Sequence, residues 1–330
     1  MIITRTPFRI SFVGGGTDLH SYYSREFGQV LSSTMKKYLY VVVRKQIGIV
    51  EYKYRINWSK TEFKNNIDEI ENDIAREALR LFDIDFPIEI TTFADIPANT
   101  GLGSSSAFAV GLVHALSAMN GEILTNYELS MKAASIEVEI LKRTMGKQDH
   151  FASAYGGFNI FTFNKNESID SKPVLYKSEI IKSLEKKLIL FYTEKKRDAS
   201  NVLKSQSKAT LDKFDVLTKM KELVSPLQNV FSGNRPLDDF GKILHEAWEL
   251  KRSITTNISN SEIDDYYNIA ISSGAIGGKL LGAGGGGFLL FYIPENNREN
   301  LKNNLSKLFS LDVNFDFSGS RITYYDNSDN

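Results

Sequence analysis

Hydrophobic and polar positions change rhythm several times along the chain, and each rhythm implies an element. Ile10–Val13, Tyr38–Arg44 and Ile49–Trp58 carry the β-branched and aromatic enrichment of strands. Apolar positions between Asn66 and Phe82 recur at helical spacing, and Pro87–Phe93 returns to a strand pattern. From Ala107 to Met119 the residues are nearly all apolar, which predicts a buried helix. Thr125 and Glu128 have capping-box spacing and open a helix predicted to run to about Lys142. Gly156–Gly157 breaks the chain before a strand at Phe158–Phe163.

A polar stretch, Asn164–Lys172, then separates a first domain, residues 1–163, from a second, residues 164–330. The second half reads as a strand at Lys187–Thr193, long helices across Ala199–Phe231 and Leu237–Ile254, and a helix opened by Ser261. A glycine-rich turn, a helix near Arg298–Phe309 and strands at Val313–Phe317 and Arg321–Tyr325 complete it. Strands and helices mix without strict βαβ alternation, so the fold class is α+β rather than a doubly wound sheet.

Composition narrows the function by exclusion. A chain of 330 residues, 42% apolar and 24% charged, builds two domains with substantial cores and is not disordered. Its formal net charge of zero gives no bulk attraction to nucleic acid or anionic membrane. The lysine-rich clusters Lys36–Lys37, Lys186–Lys187 and Lys195–Arg197 read as solvated faces. Cysteine is absent, which excludes disulfides, thiol catalysis and cysteine metal sites, and the four histidines form no zinc motif. No apolar run approaches bilayer length and the N-terminus begins a strand, so a cytoplasmic chain with small-molecule partners is expected.

The chemistry is carried by glycine. In PANTGLGSSSA, Pro97–Ala107, a glycine and serine loop runs straight into the apolar helix. A helix start presents unpaired N–H groups and the positive dipole end, which together attract phosphate. Gly101 and Gly103 would let the backbone approach a phosphate chain, and Ser104, Ser105 and Ser106 offer hydroxyls to Mg²⁺ or to phosphate oxygens. The Walker pattern is missing, and a flexible turn capping a core helix is the plain alternative. Two further segments repeat the theme: PFRISFVGGGTD, Pro7–Asp18, and GGKLLGAGGGGFLLF, Gly277–Phe291. The last formally satisfies GxGxxG, but it leads into a strand, so dinucleotide binding fails on context. Packing of this turn against the phosphate loop is the better account.

The order of these segments, with GKQD at Gly146–Asp149 between the last two, resembles the GHMP small-molecule kinases. The family's second motif, Pro-x-x-x-Gly-Leu-Gly-Ser-Ser-Ala, is matched from Pro97 with Ser106 in place of alanine. Within the superfamily, RTPFRISFVGGGTD and GKQDHFASAYGG look most like the kinases of D-glycero-D-manno-heptose 7-phosphate. The resemblance implies a ribosomal-protein-S5-like first domain and a ferredoxin-like second, with the site between them. It implies ATP as phosphate donor, Gly101, Leu102, Gly103 and Ser104 as backbone hydrogen-bond donors to the nucleotide phosphates, and Ser105 with Glu137 as Mg²⁺ ligands, Glu139 being the reserve. Asp149 matches the catalytic acid of related kinases, and Arg9 is implied beside it and the transferred phosphoryl group. An arginine inside an apolar strand needs such an anionic partner on physical grounds too.

The acceptor is read from the first motif. Galactokinases place an acid and a histidine where this chain has Gly15 and Gly16, ahead of Thr17 and Asp18. The loss of two polar side chains opens space for a longer or phosphorylated sugar, which Gly15, Gly16, Thr17 and Asp18 are expected to contact, Asp18 accepting from the sugar hydroxyls. Lys36, Arg197, Lys251 and Arg252 are the candidate cations for a sugar phosphate. The expectation is an ATP- and Mg²⁺-dependent kinase of the anomeric hydroxyl of heptose 7-phosphate. The alternatives are another anomeric monosaccharide kinase, of fucose or galactose type, and a non-catalytic nucleotide or sugar sensor of the same fold.

Overall fold

A computed structural model describes residues 1–194 and 199–326. The chain builds two sheets. Nine strands form the first, ordered Arg321–Tyr325, Ile2–Val13, Gly28–Lys45, Ile88–Ala94, Tyr54–Asn57 and Thr61–Lys64. Beside this path, Gly28–Lys45 also pairs with Asn159–Phe163 and Phe315–Asp316, and Asn159–Phe163 carries Ile169–Pro173. Every pairing is antiparallel except that of Tyr54–Asn57 with Ile88–Ala94. The second sheet is wholly antiparallel, ordered Phe309–Asp312, Leu188–Tyr192, Phe288–Tyr292 and Gly277–Leu280. Helix Ser104–Met119 lies on the first sheet and helix Asp239–Arg252 on the second. One apolar core runs between them, from Phe8, Phe12 and Leu112 to Phe231, Phe240 and Leu290.

The α+β reading matches this architecture, and several elements fall where the pattern places them. Arg321–Tyr325 has the bounds read from the sequence, and Thr125 forms the capping box with Glu128. Other elements differ for identifiable reasons. Ile10–Val13 is only the end of a strand of 12 residues, Ile2–Val13, whose second half is buried on both faces and so shows no alternation. Its register against Gly28–Lys45 shifts at Pro7, which has no N–H to give the ladder. The helix predicted over Asn66–Phe82 begins later, because the Asn72 side chain caps Asp73–Leu81 by accepting from Ala75 N. The long helical tract from Ala199 is broken into Ala199–Ala209, Phe214–Glu222 and Val224–Phe231.

The polar stretch at residues 164–172 is a hairpin rather than a spacer. Asn164 N donates to Ser168 O, and Ile169–Pro173 folds back on Asn159–Phe163 with only Ile169 buried. An edge strand with one buried residue reads as polar. The chain also re-enters the first sheet at Phe315–Asp316 and Arg321–Tyr325, so that sheet holds strands from both sides of residue 164. Among the described residues no helix is long and apolar enough to cross a membrane.

Candidate active site

All three glycine segments converge on one cleft between the sheets, of about 450 Å³. Helix Ser104–Met119 starts on Gly103, left-handed at φ 78° and ψ 33°, and no side chain caps it. Its free N–H groups and dipole therefore face the cleft beside Gly101, Gly103, Ser104 and Ser105. The third glycine segment presses on this loop. A Cβ on Gly101 would lie 2.6 Å from Leu281 O, and one on Gly282 would lie 2.6 Å from Gly101 Cα. Phe288 N donates to Thr100 O at 3.1 Å. The strand Phe288–Tyr292 follows directly, which removes the dinucleotide reading.

Arg9 and Asp149 meet under the loop. Arg9 is 5% exposed; its Nε and Nη2 donate to the two Asp149 carboxylate oxygens at 2.6 and 2.7 Å, and its Nη1 donates to Gly101 O at 2.5 Å. Such a fork fixes the plane of the carboxylate as well as its position. A Cβ on Gly103 would approach Arg9 Cγ to 3.1 Å and Asp149 Oδ2 to 3.2 Å, so loop, arginine and acid pack as one unit.

Glu137 is aimed into the same cleft by an irregular helix. The α-helix Asn126–Ala134 widens into a π turn at Ser135–Ile140, a device that redirects side chains. Glu137 is fully buried. Its Oε2 accepts from Ser106 Oγ at 3.1 Å and contacts His150 Nε2 at 2.8 Å, while Oε1 accepts from Arg143 Nη1 at 2.5 Å. Burial pushes this carboxyl up, but His150, Arg143 and the Ser105 hydroxyl outweigh it and hold the group down at about 2. Glu139 lies on the surface, paired with Lys147 at 3.3 Å. An ionised carboxylate with the Ser105 hydroxyl beside it is a donor set that fits Mg²⁺ arriving with phosphate oxygens, since this cation keeps several waters.

The far end of the cleft holds Gly15, Gly16 and Asp18. Asp18 accepts from Gly16 N at 2.9 Å and lies against Gly146, where any Cβ would collide with it. Burial raises its carboxyl to about 6 and the Asp149 charge adds to this, against the Gly16 N–H and Gln148. Thr17 is not on the cleft: its hydroxyl donates to Gly14 O at 2.8 Å and accepts from Gln29 N at 3.0 Å, closing the turn. Two buried lysines complete the wall. Lys251 Nζ donates to Leu280 O and Gly282 O, and Lys279 Nζ to Phe12 O. Neither has a carboxylate partner among the described residues. Burial, then the Arg9 charge, lowers Lys251 to about 7, and burial, then the Lys251 and Arg9 charges, holds Lys279 well below its ordinary value.

Some expected residues lie elsewhere. Arg252 points outward, with its guanidinium on Glu249 at 2.8 Å, because one residue past Lys251 is a turn of about 100° around the helix. Lys36 lines a separate shallow pocket with Lys302 and Asn314. Pro97 does not reach the cleft; its carbonyl accepts from Thr100 Oγ1. Arg197 falls outside the described residues. Ser106 turns inward to Glu137. The sequence reading did not single out Ser11, Arg143, Gln148, Gln206 or Lys279, all on the cleft, nor buried His150. Ser11 Oγ and Gln148 Oε1 are buried there without a partner, which marks them for a ligand. Lys279 stands between apolar runs as Arg9 does, so the same signal could have found it.

A helix N-terminus open to phosphate thus sits beside an arginine-clamped carboxylate and an ionised carboxylate next to a hydroxyl, an arrangement suited to phosphoryl transfer. The GHMP kinases N terminal domain matches residues 66–157, and the GHMP kinases C terminal domain matches residues 227–311. The D-glycero-alpha-D-manno-heptose 7-phosphate kinase of Campylobacter jejuni is 30% identical over 96% of this chain and 96% of its own length. The chain belongs to the GHMP kinases and is a phosphotransferase with an alcohol group as acceptor and ATP as phosphate donor. Its fold is shared with a D-glycero-D-manno-heptose 1-phosphate kinase from Bacteroides thetaiotaomicron, at a TM-score of 0.80 and 23% identity over 99% of this chain and all of that one. A Lactococcus lactis galactokinase shares it at a TM-score of 0.75 and 15% identity, covering 97% and 94%.

Proposed function

We propose that the chain transfers the γ-phosphoryl group of ATP to the anomeric hydroxyl of D-glycero-D-manno-heptose 7-phosphate, for the synthesis of nucleotide-activated heptose. The observation that carries this reading is Asp149, held bidentately by Arg9 at the mouth of the phosphate-loop helix. The Campylobacter relative supports the choice of acceptor. So do Gly15, where a side chain would meet only Ser11 and Gln148 at ordinary contact distance, and the lysine pair, whose ammonium forms a bound anion would hold. At Gly16 the space is already taken by Gln206 and Leu217.

In this mechanism the N–H groups of the loop and helix start hold the phosphates, and Asp18 accepts hydrogen bonds from the sugar hydroxyls. Asp149 takes the proton of the anomeric hydroxyl as its oxygen bonds to the γ-phosphorus. The bond from that phosphorus to the β,γ-bridging oxygen breaks, and ADP leaves. Arg9 orients Asp149 and faces the charge that develops. Ser105 and Glu137 would hold Mg²⁺, which neutralises phosphate charge when bound. Lys251 and Lys279 face the bound anions.

The test is ATP-dependent phosphorylation across heptose 7-phosphate, mannose 6-phosphate, free heptose, galactose and fucose. A strong preference for heptose 7-phosphate is expected. Turnover only on an unphosphorylated sugar would keep the chemistry and refute the acceptor, and no turnover on any would favour a sensor.

A further inference from the structure

Arg143 is held between two acids. Its Nη2 donates to both oxygens of Asp73, at 2.7 and 2.8 Å, and its Nη1 to Glu137 Oε1 at 2.5 Å. The backbone is bent to achieve this. Lys142, just before it, sits at φ 54°, a region that L residues avoid, and Arg143 N donates to Glu137 O at 2.9 Å. The two oxygens of Glu137 differ in access. Oε2 faces His150 and Ser106, both fully buried, whereas Oε1 faces Arg143, which is 31% exposed and lines the cleft. A divalent cation entering through the cleft therefore meets the oxygen that Arg143 already occupies.

We propose that Arg143 is a placeholder cation, displaced from Glu137 Oε1 by the metal that arrives with the nucleotide and swung onto the nucleotide's phosphates. This rests on the reading of Glu137 as the metal ligand. Asp73 keeps the tether throughout, so the guanidinium moves by rotation of its free edge. The exchange leaves the buried carboxylate with a cation at every stage, which a fully desolvated charge requires. Two cations repel on one oxygen, so metal alone must compete with Arg143. Metal together with phosphate gives the arginine a new partner. Metal and nucleotide thus bind cooperatively through a single side chain.

The experiment measures Mn²⁺ binding by the electron paramagnetic resonance of the free ion, with and without a non-hydrolysable ATP analogue, alongside the KM for ATP. Loss of a charge-assisted contact is worth about tenfold. R143Q is expected to bind Mn²⁺ ~10-fold more tightly than wild type without nucleotide, and to raise the KM for ATP ~10-fold. R143K, which keeps the charge but cannot span both acids, should fall between. Unchanged or weaker nucleotide-free Mn²⁺ binding in both variants, folded by circular dichroism, would show that Arg143 is only a structural clamp. The E137Q variant separates the layers. If it binds Mn²⁺ as wild type does, the metal assignment itself fails; if it loses Mn²⁺ while the Arg143 variants show no opposed changes, only the exchange fails.

Discussion

Asp149 and Asp18 share one cleft and are treated in opposite ways. The first has a guanidinium across both oxygens, and the second has a backbone N–H and a like charge nearby. Asp149→Asn removes the proton acceptor while keeping the shape, so kcat should fall by ~10²–10⁴ with the fold intact, as steady-state rates and melting will show. Asp18 carries a pH signature. Its carboxyl, raised from 3.8 to about 6, favours the folded state fully only below pH 3.8, and that contribution is lost as pH rises through 6. Above this window the ionised group costs on the order of 3 kcal/mol. The Asp18→Asn variant should therefore melt higher than wild type at pH 7.5, with the gap closing toward pH 4, while the KM for the sugar rises. Lys251 adds a functional limb: it loses its proton above about 7, so the KM for the phosphorylated acceptor should climb from there. Lys251→Met should show a raised KM without that limb.

At the scale of elements, the phosphate loop and the glycine turn define each other's shape. A methyl group on Gly282 would have to push the backbone at Gly101 aside. Gly282→Ala, also strained at φ 72°, should raise the KM for ATP ~10-fold or more and lower stability by ~1–3 kcal/mol, read by nucleotide titration and urea melts. The close packing of the two glycine segments was legible because the third leads into a strand, which leaves close backbone approach as the use of its glycines. Arg9 was legible as a charge inside an apolar strand. Arg143 was not, since Asp73 lies 70 residues away and no local pattern joins them. The π turn under Glu137 was equally hidden, because one widened turn leaves the helical spacing of apolar residues almost unchanged. Thr17 misled the reading for a related reason: a hydroxyl next to a ligand-facing acid looks like a ligand contact until the turn that consumes it is seen.

On the scale of the whole molecule, the cleft is bounded by both sheets, and Lys279 of the second reaches the carbonyl of Phe12 in the first. Ligands that fill it touch both sides of one shared core. Each of ATP analogue and acceptor, at about 100 times its Kd, should add ~2.7 kcal/mol to unfolding, and both sheets should melt in a single transition. Two separated transitions in calorimetry would contradict that coupling.

The strand that carries Arg9 also has neighbours from the far end of the chain. Ile2 stands opposite Tyr325, and Thr34, the ladder partner of Arg9, stands opposite Asp316. Synthesis from the N-terminus thus delivers Arg9 early, yet its sheet keeps an unpaired edge until residues 315–325 emerge. A polypeptide that stalls shortly before them would already hold every glycine segment and all three cleft carboxylates. It would still be a chain with a raw sheet edge, inviting association with its own kind before it could act on anything.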